Sequence, residues 1–318
     1  MLQQTQVKTV IPYWQRWMRE LPTINAAAKA GPASLHKLWE GLGYYTRVRN
    51  LQKAAHQIIE NHGGQFPEKF DDVLALPGVG RYTAGATCSI AFNQPAPILD
   101  GNVIRVLTRV FGIAQNPREQ TTIKKLWQLA ETLVLTAASD PHHASPCSHL
   151  NQSLMELGAL VCAPRQPGCD ACPVRRHCAA HRQGRINQIP NTGKRARTTT
   201  RHFIALVAQQ KGRILVRQRP PGVVNAQLWE FPNFELGNGS DLNRAIKKTW
   251  GIAPASIQPF CTVKHSITRY RITLEVFQAE LKTPPGKTRQ LGRWLTRREL
   301  EQLAFASAHK KILARLSP

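Results

Sequence analysis

Apolar residues recur at three- and four-residue intervals through the first half of the chain, a period that predicts amphipathic helices. Leu51, Ala54, Ala55, Ile58 and Ile59 fall on one face of such a helix, as do Val103, Val106, Leu107 and Val110. From the start to about residue 160 the expectation is all α. Further on the period changes to two. Phe203, Ala205 and Val207 lead into a Gln-Gln-Lys-Gly turn ending at Gly212, Ile214 and Val216 follow, and RITLEVF at 271–277 repeats the alternation. These read as strands of a smaller α+β domain. Between the two regimes lies a polar stretch carrying Arg182, Arg185, Lys194, Arg195, Arg197 and Arg201, together with Pro190 and Gly193 and no acid. It reads as a basic linker.

Composition narrows what such a chain does. With 318 residues, 42% of them hydrophobic and 19% charged, it is long enough for two cored domains and too apolar for disorder. A formal charge of +24 exceeds what solubility requires and points to a polyanion, although charge alone fits a merely basic or ribosome-associated protein as well. No run of eighteen apolar residues is present, and the first twenty residues lack a signal-peptide core, so a cytoplasmic, nucleoid-associated location is expected. Four of the seven cysteines crowd between Cys162 and Cys178, while Cys88, Cys147 and Cys261 are scattered. That is a metal-site pattern rather than a disulfide framework.

Three constellations carry chemistry. In LPGVGRYTAGA at 76–86, Pro77 opens a turn, and Gly78 and Gly80 permit positive φ and leave backbone amides uncovered for a phosphate at the next helix start. The same hairpin also serves as a plain turn or a non-enzymatic DNA-binding element. Downstream, ILDGNVIRVLTRVFG sets Asp100 at the head of an amphipathic helix. Alone it is a helix cap; beside the hairpin it reads as a carboxylate that stabilises an oxocarbenium-like sugar. Third, Cys162, Cys169, Cys172 and Cys178 are spaced Cys-x6-Cys-x2-Cys-x5-Cys with Pro164, Pro167 and Pro173 among them. Four thiolates suit either tetrahedral zinc or a [4Fe–4S] cluster.

Hairpin, aspartate and cysteine spacing together resemble the helix-hairpin-helix endonuclease III superfamily, in which the cysteines hold a [4Fe–4S] cluster and Arg165, Arg175 and Arg176 would meet phosphates. Within it, the chain is similar over nearly its whole length to adenine DNA glycosylases of the MutY type. MLQQTQV at 1–7 and GLGYYTRVRNL at 41–51 resemble that family's lesion-reading helices. The resemblance implies that Gln4 and Tyr44 wedge the duplex, Thr5 and Leu42 touch the oxidised guanine, and Leu2 and Val7 line the adenine pocket. In ELGALVC at 156–162 it sets Glu156 against the flipped adenine, and LWEFPNFE at 228–235 resembles the family's Nudix-like reader of 8-oxoguanine. GNGSDLNRAIKKTWGI lacks the paired glutamates that bind magnesium, so no nucleotide pyrophosphatase activity is expected. Where endonuclease III carries a lysine that forms a Schiff base, this chain has Tyr82, which implies base removal without strand cleavage and a phenol within hydrogen-bonding reach of Asp100.

The implied fold is an all-α glycosylase domain over 1–184 with a cluster loop at 162–178, a linker at 185–201 and a Nudix-like α+β domain over 202–318. The implied function is excision of adenine paired with 8-oxoguanine or guanine in double-stranded DNA, by a monomer. Two departures qualify it. The family's general-acid glutamate lies two residues before the Met-Leu-Gln-Gln-Thr run, at which this sequence starts. A truncation or misplaced start is expected, with impaired excision. In KHSITRYRITL at 264–274, Ile267, Thr268 and Arg269 stand where the family shows Phe-Ser-His, leaving Thr268 a hydroxyl contact to the damaged base. The alternatives are a bifunctional glycosylase and lyase acting on oxidised pyrimidines, and a non-catalytic iron-sulfur DNA-binding protein.

Overall fold

A computed structural model describes residues 1–193, 198–237, 239–251, 257–267, 269–281 and 292–316. Residues 194–197 of the basic linker and Thr268 lie outside them. The chain divides into two compact units, one comprising Met1–His56 and Ala196–Pro318, the other Gln57–Arg195.

In the second unit the expected helical periodicity is realised. It contains the end of α4 (Thr46–His62), then α5 (Phe70–Leu74), α6 (Arg81–Phe92), α7 (Gly101–Val110), α8 (Gln120–Ala138), α9 (Pro146–Glu156) and α10 (Ala179–Arg182). A π turn, Leu157–Val161, continues α9 into the cysteine loop. The stripe predicted on α7 packs inward: Val103, Val106 and Leu107 are buried, and Val103 and Leu107 join Ile98, Leu126 and Ala130 in the core under α8. Polar anchors fix the helices relative to one another. Asn151, 1% exposed, donates to Ser89 Oγ at 2.8 Å and to the Ala96 carbonyl at 2.9 Å. Asn93 ends α6 in the left-handed conformation, and its Oδ1 accepts the Cys147 and Ser148 amides that open α9. Removing such a buried partner costs about 1–3 kcal/mol.

The first unit joins α1 (Val7–Glu20), α2 (Ile24–Lys29), α3 (Pro32–Leu38) and the start of α4 to a sheet. Strand β1 (Thr199–Gln210) lies at its centre, parallel to β6 (Tyr270–Glu280) and antiparallel to β2 (Arg213–Gln218) and β4 (Asn233–Glu235). β2 also pairs with β3 (Trp229–Glu230) and β7 (Arg293–Thr296), and β5 (Gln258–Ile267) forms a hairpin with β6. The period-two pattern of β1 is buried on both sides. Ala205 and Val207 face a core with Ile214, Val216, Leu274 and Phe305, whereas Ile204, Leu206 and Ala208 face one with Ile246 and Trp250 of α11 (Leu242–Trp250). Helices α12 (Arg297–Glu301) and α13 (Ser307–Leu313) cover the first of these faces through Leu300, Ile312 and Leu313. Among the described residues no helix is long and apolar enough to cross a membrane.

Candidate functional site

The hairpin has the geometry its glycines allow. After α5, the Val79 amide donates to the Leu76 carbonyl at 3.0 Å, and Gly78 takes φ +79°, a conformation costly for a side chain. Gly80 does not use that freedom: it is extended at φ −101° and serves as N-cap of α6. It has no side chain to cap the first turn, so the positive end of α6 is left to an outside anion. Both glycines are exposed.

Asp100 is the N-cap of α7, its Oδ1 accepting the amides of Asn102 at 2.9 Å and Val103 at 2.8 Å. The cap reading holds; both bonds fall on one oxygen, and Oδ2 makes no hydrogen bond among the described residues. Tyr82, in the first turn of α6, is half-buried, and burial first and the Asp100 charge second raise its phenol above the usual tyrosine range. The expected Tyr82–Asp100 hydrogen bond is not formed. The hydroxyl donates instead to Met155 Sδ at 3.9 Å.

Met155 precedes Glu156, which is exposed at the end of α9. The π turn after it seats Gly158 on Asn102, where an added Cβ would stand 2.7 Å from Asn102 Cβ and 3.0 Å from its carbonyl oxygen. Only glycine permits this approach. The Tyr82–Met155 contact and the Gly158–Asn102 approach bring the first turn of α6, the start of α7 and the end of α9 together.

The cysteine loop is held by the same α7. Arg105 donates to the carbonyls of Cys162 at 2.7 Å and Gly158 at 2.6 Å. Arg109, 2% exposed, donates to the carbonyls of Ile189 and Ala163, both at 2.8 Å, and to Cys162 Sγ at 3.3 Å. Cys162, Cys169, Cys172 and Cys178 line a single cavity with Val106 and Arg109. Burial, then the proximity of the other three sulfurs, raises the Cys169 thiol. Among the described residues, no three His, Cys, Asp or Glu side chains form a group that could hold a single metal ion. Arg165, Arg175 and Arg176 are exposed, and Arg175 pairs with Asp170 at 2.9 Å.

In the first unit, of the stretches expected to be helical at 1–7 and 41–51, residues 1–6 and 41–45 are non-helical; α1 begins only at Val7 and α4 only at Thr46. Gln4 at φ +58°, Tyr44 at φ +48°, Gly41 and Gly43 break the helical backbone there. Arg47 staples the two turns, its guanidinium donating to the carbonyls of Gln3 at 2.5 Å and Met1 at 2.9 Å on one side and of Leu42 at 3.0 Å and Gly43 at 3.2 Å on the other. It also reaches Thr5 Oγ1 at 3.3 Å. Leu2, Gln4, Val7 and Tyr44 project into solvent, whereas Leu42 is only 7% exposed. In the hairpin β5–β6, Ile267 pairs with Tyr270, and the Arg269 side chain donates to Tyr270 Oη at 3.2 Å.

Arg47, Arg109 and Met155 escape the sequence reading, as does the hold of Arg105 on the cysteine loop. The one available signal was an arginine, Arg109, lying among the apolar positions of α7. It marks a buried cation but not its partners.

The sequence matches the family described as HhH-GPD superfamily base excision DNA repair protein over residues 1–132, and the NUDIX domain family over residues 203–315. It is 37% identical to the adenine DNA glycosylase of Rattus norvegicus, over 98% of this chain and 69% of that protein. To the adenine DNA glycosylase of Homo sapiens it is 36% identical, over 98% and 66% respectively. Among solved structures, that of a thermostable thymine-DNA glycosylase matches with a TM-score of 0.50 and 30% identity, covering 57% of this chain and 80% of the other.

Proposed function

The chain belongs to the adenine DNA glycosylase family, and from that premise we propose that it hydrolyses the N-glycosidic bond of adenine mispaired with 8-oxoguanine or guanine in duplex DNA, without cutting the strand. It is a base-excision glycosylase with a helical domain followed by a Nudix-like one. The observation that carries the finer reading is the Asp100 carboxylate. One oxygen is fixed by two amides of α7, and the other is left to face charge that develops on the sugar. A carboxylate preorganised in this way stabilises an oxocarbenium-like transition state without having to reorient.

Tyr82 sets the outcome at the sugar. A phenol cannot form the imine through which an amine cleaves the strand, so water completes the displacement and an intact abasic strand remains. Gly78 and the uncapped start of α6 suit a backbone phosphate, and Glu156 is proposed to hydrogen bond the extruded adenine. In the first unit, Gln4, Thr5, Leu42 and Tyr44 are proposed to read the mispair, and Leu2 and Val7 to pack on the adenine. The sheet of the same unit and Thr268 are proposed to contact the oxidised guanine. The charge of +24 supports a DNA partner, bound by a monomer at the nucleoid.

The four-cysteine cavity is proposed to hold a [4Fe–4S] cluster through Cys162, Cys169, Cys172 and Cys178. The residues fit such a group. All four line one cavity, and the Arg109 guanidinium is buried against sulfur and carbonyl oxygens without a carboxylate, so an anionic occupant would balance it. Four thiolates also suit tetrahedral zinc, and the cluster is proposed over it on the resemblance of the cysteine spacing. When bound, the cluster supplies a cross-link that stiffens the loop; the hydrolysis itself is left to Asp100 and water.

The test is a labelled duplex with one A:8-oxoguanine pair. Free adenine should appear while the strand stays whole until treated with alkali. Strand breaks before alkali, with a borohydride-trapped protein adduct, would sink the reading in favour of a lyase.

A further inference from the structure

Within the first unit, the turn that carries Tyr44 begins at a buried ion cluster. Glu40 precedes Gly41, and its side chain is only 6% exposed. Its Oε2 accepts from Lys310 Nζ at 2.8 Å and Lys37 Nζ at 3.1 Å, and its Oε1 from the Phe305 amide at 2.9 Å. Lys37 also donates to the Leu303 carbonyl at 3.0 Å, and Arg49 to the Ala226 carbonyl at 3.2 Å.

The partner segment is itself zipped to the sheet. The Trp229 amide donates to Ala304 and the Ala306 amide to Trp229, which turns the intervening Phe305 amide away from β3 and toward Glu40. Trp229 and Glu230 form β3, and Glu230 is held in turn by Arg217 at 2.8 Å and by Arg219. A continuous set of bonds therefore runs from β2 and β3 through residues 304–306 to Glu40. On the other side of Glu40, Tyr13 donates to its carbonyl at 3.0 Å, Trp39 Nε1 closes on the Gly43 carbonyl at 3.1 Å, and the Gly41 amide donates to Tyr45 Oη at 3.2 Å. Burial would raise the Glu40 carboxyl, but the bonds from Lys310 and Phe305 and the Lys37 charge hold it below the ordinary range, so it is ionised at neutral pH.

We propose that Glu40 is a positioning residue: the sheet domain, acting through Lys310 and Phe305, fixes the pose of the Gly41–Tyr45 turn and so sets discrimination of the mispair. This rests on the reading of that turn as the mispair reader. A buried carboxylate joined to charged and backbone donors has two discrete states, made or broken, which is what coupling between distant segments requires. The sequence hides it, because Glu40 and Lys310 stand 270 positions apart.

The test uses residues 1–318 with Glu40→Gln, Lys310→Met, both together, and Lys311→Met as a charge-matched control. Hydrogen exchange of the 41–45 amides should speed roughly tenfold in the first two variants and no further in the double variant. The affinity ratio for an A:8-oxoguanine duplex over a fully paired one should fall about fivefold or more in the same proteins. Lys311→Met should weaken both duplexes equally. Lys310 is half-exposed, so its variant keeps the test sound if Glu40→Gln folds poorly. Unchanged exchange at 41–45 in both single variants overturns the clamp. Faster exchange with an unchanged ratio overturns the link to discrimination. A wild-type protein without preference for the mispair refutes the functional reading instead, and the exchange measurement still decides the clamp.

Discussion

Tyr82 lies in the field of Asp100 without hydrogen bonding to it: its hydroxyl donates to Met155 Sδ at 3.9 Å, and the Asp100 carboxylate is held by the amides of its own helix. The phenol is thus half-buried against Met155, and the Asp100 charge is held by its own helix rather than shared with it.

Replacing Tyr82 by Phe removes only a weak O–H···S contact, so adenine excision should change by less than about threefold in a single-turnover assay. Tyr82→Lys places an amine in the same first turn of α6. Borohydride should then trap a covalent protein–DNA adduct that the wild type never gives.

Gly158→Ala forces the π turn off Asn102, since the new Cβ meets both the Asn102 Cβ and its carbonyl. Urea unfolding should show a loss of about 1–3 kcal/mol. Excision should fall by more than the stability loss explains at 25 °C, because the turn after α9 no longer seats on Asn102, two residues past Asp100.

Protein purified without oxygen should contain four iron and four acid-labile sulfide per chain and no stoichiometric zinc, measured by metal analysis. Arg109→Met leaves the anionic occupant without its buried cation and should lower iron content. Protein bearing zinc at one ion per chain, with four cysteines protected from alkylation, would contradict the cluster.

His309 gives the sheet unit a pH dependence. Burial holds its imidazole down to about 4, partly opposed by Glu230, 3.7 Å away, and its Nδ1 accepts the Phe231 amide at 3.2 Å, which requires the neutral ring. The unfolded chain takes up this proton near pH 6.5, the folded chain only near 4, so stability falls as pH drops through that window, by about 3 kcal/mol. Glu230, whose carboxyl is held low despite its burial, loses its stabilising charge in acid and acts in the same direction. Urea melts at pH 7, 5.5 and 4.5 should show the decline, and His309→Gln, which still accepts the Phe231 amide, should flatten it.

What the sequence disclosed follows from which interactions are local. The hairpin at 76–80, the cap at Asp100 and the stripes on α4 and α7 depend on spacing within a few residues, and they stand where the period places them. The change from helical to two-residue period near residue 202 is likewise local, although alternation did not reveal that β1 buries both faces, since that depends on α11 and α13 arriving from far along the chain. The turns at Gln4 and Tyr44 read as helix on the family resemblance alone, and the tertiary staple from Arg47 holds the left-handed backbone there. Arg109 and Glu40 were legible as charges but not as buried anchors, because their partners lie tens to hundreds of residues away.

The central claim is that Asp100 is a catalytic carboxylate as well as a cap, and Asp100→Asn separates the two roles, since asparagine caps a helix about as well as aspartate. Adenine release from an A:8-oxoguanine duplex should be timed with protein in excess over DNA, so that slow chemistry is still counted, alongside a thermal melt of both proteins. If Asp100 is a catalytic carboxylate, the melts match and the release rate is about a hundred- to a thousandfold lower in the variant. Equal rates in two equally folded proteins would leave Asp100 a helix cap and contradict that claim.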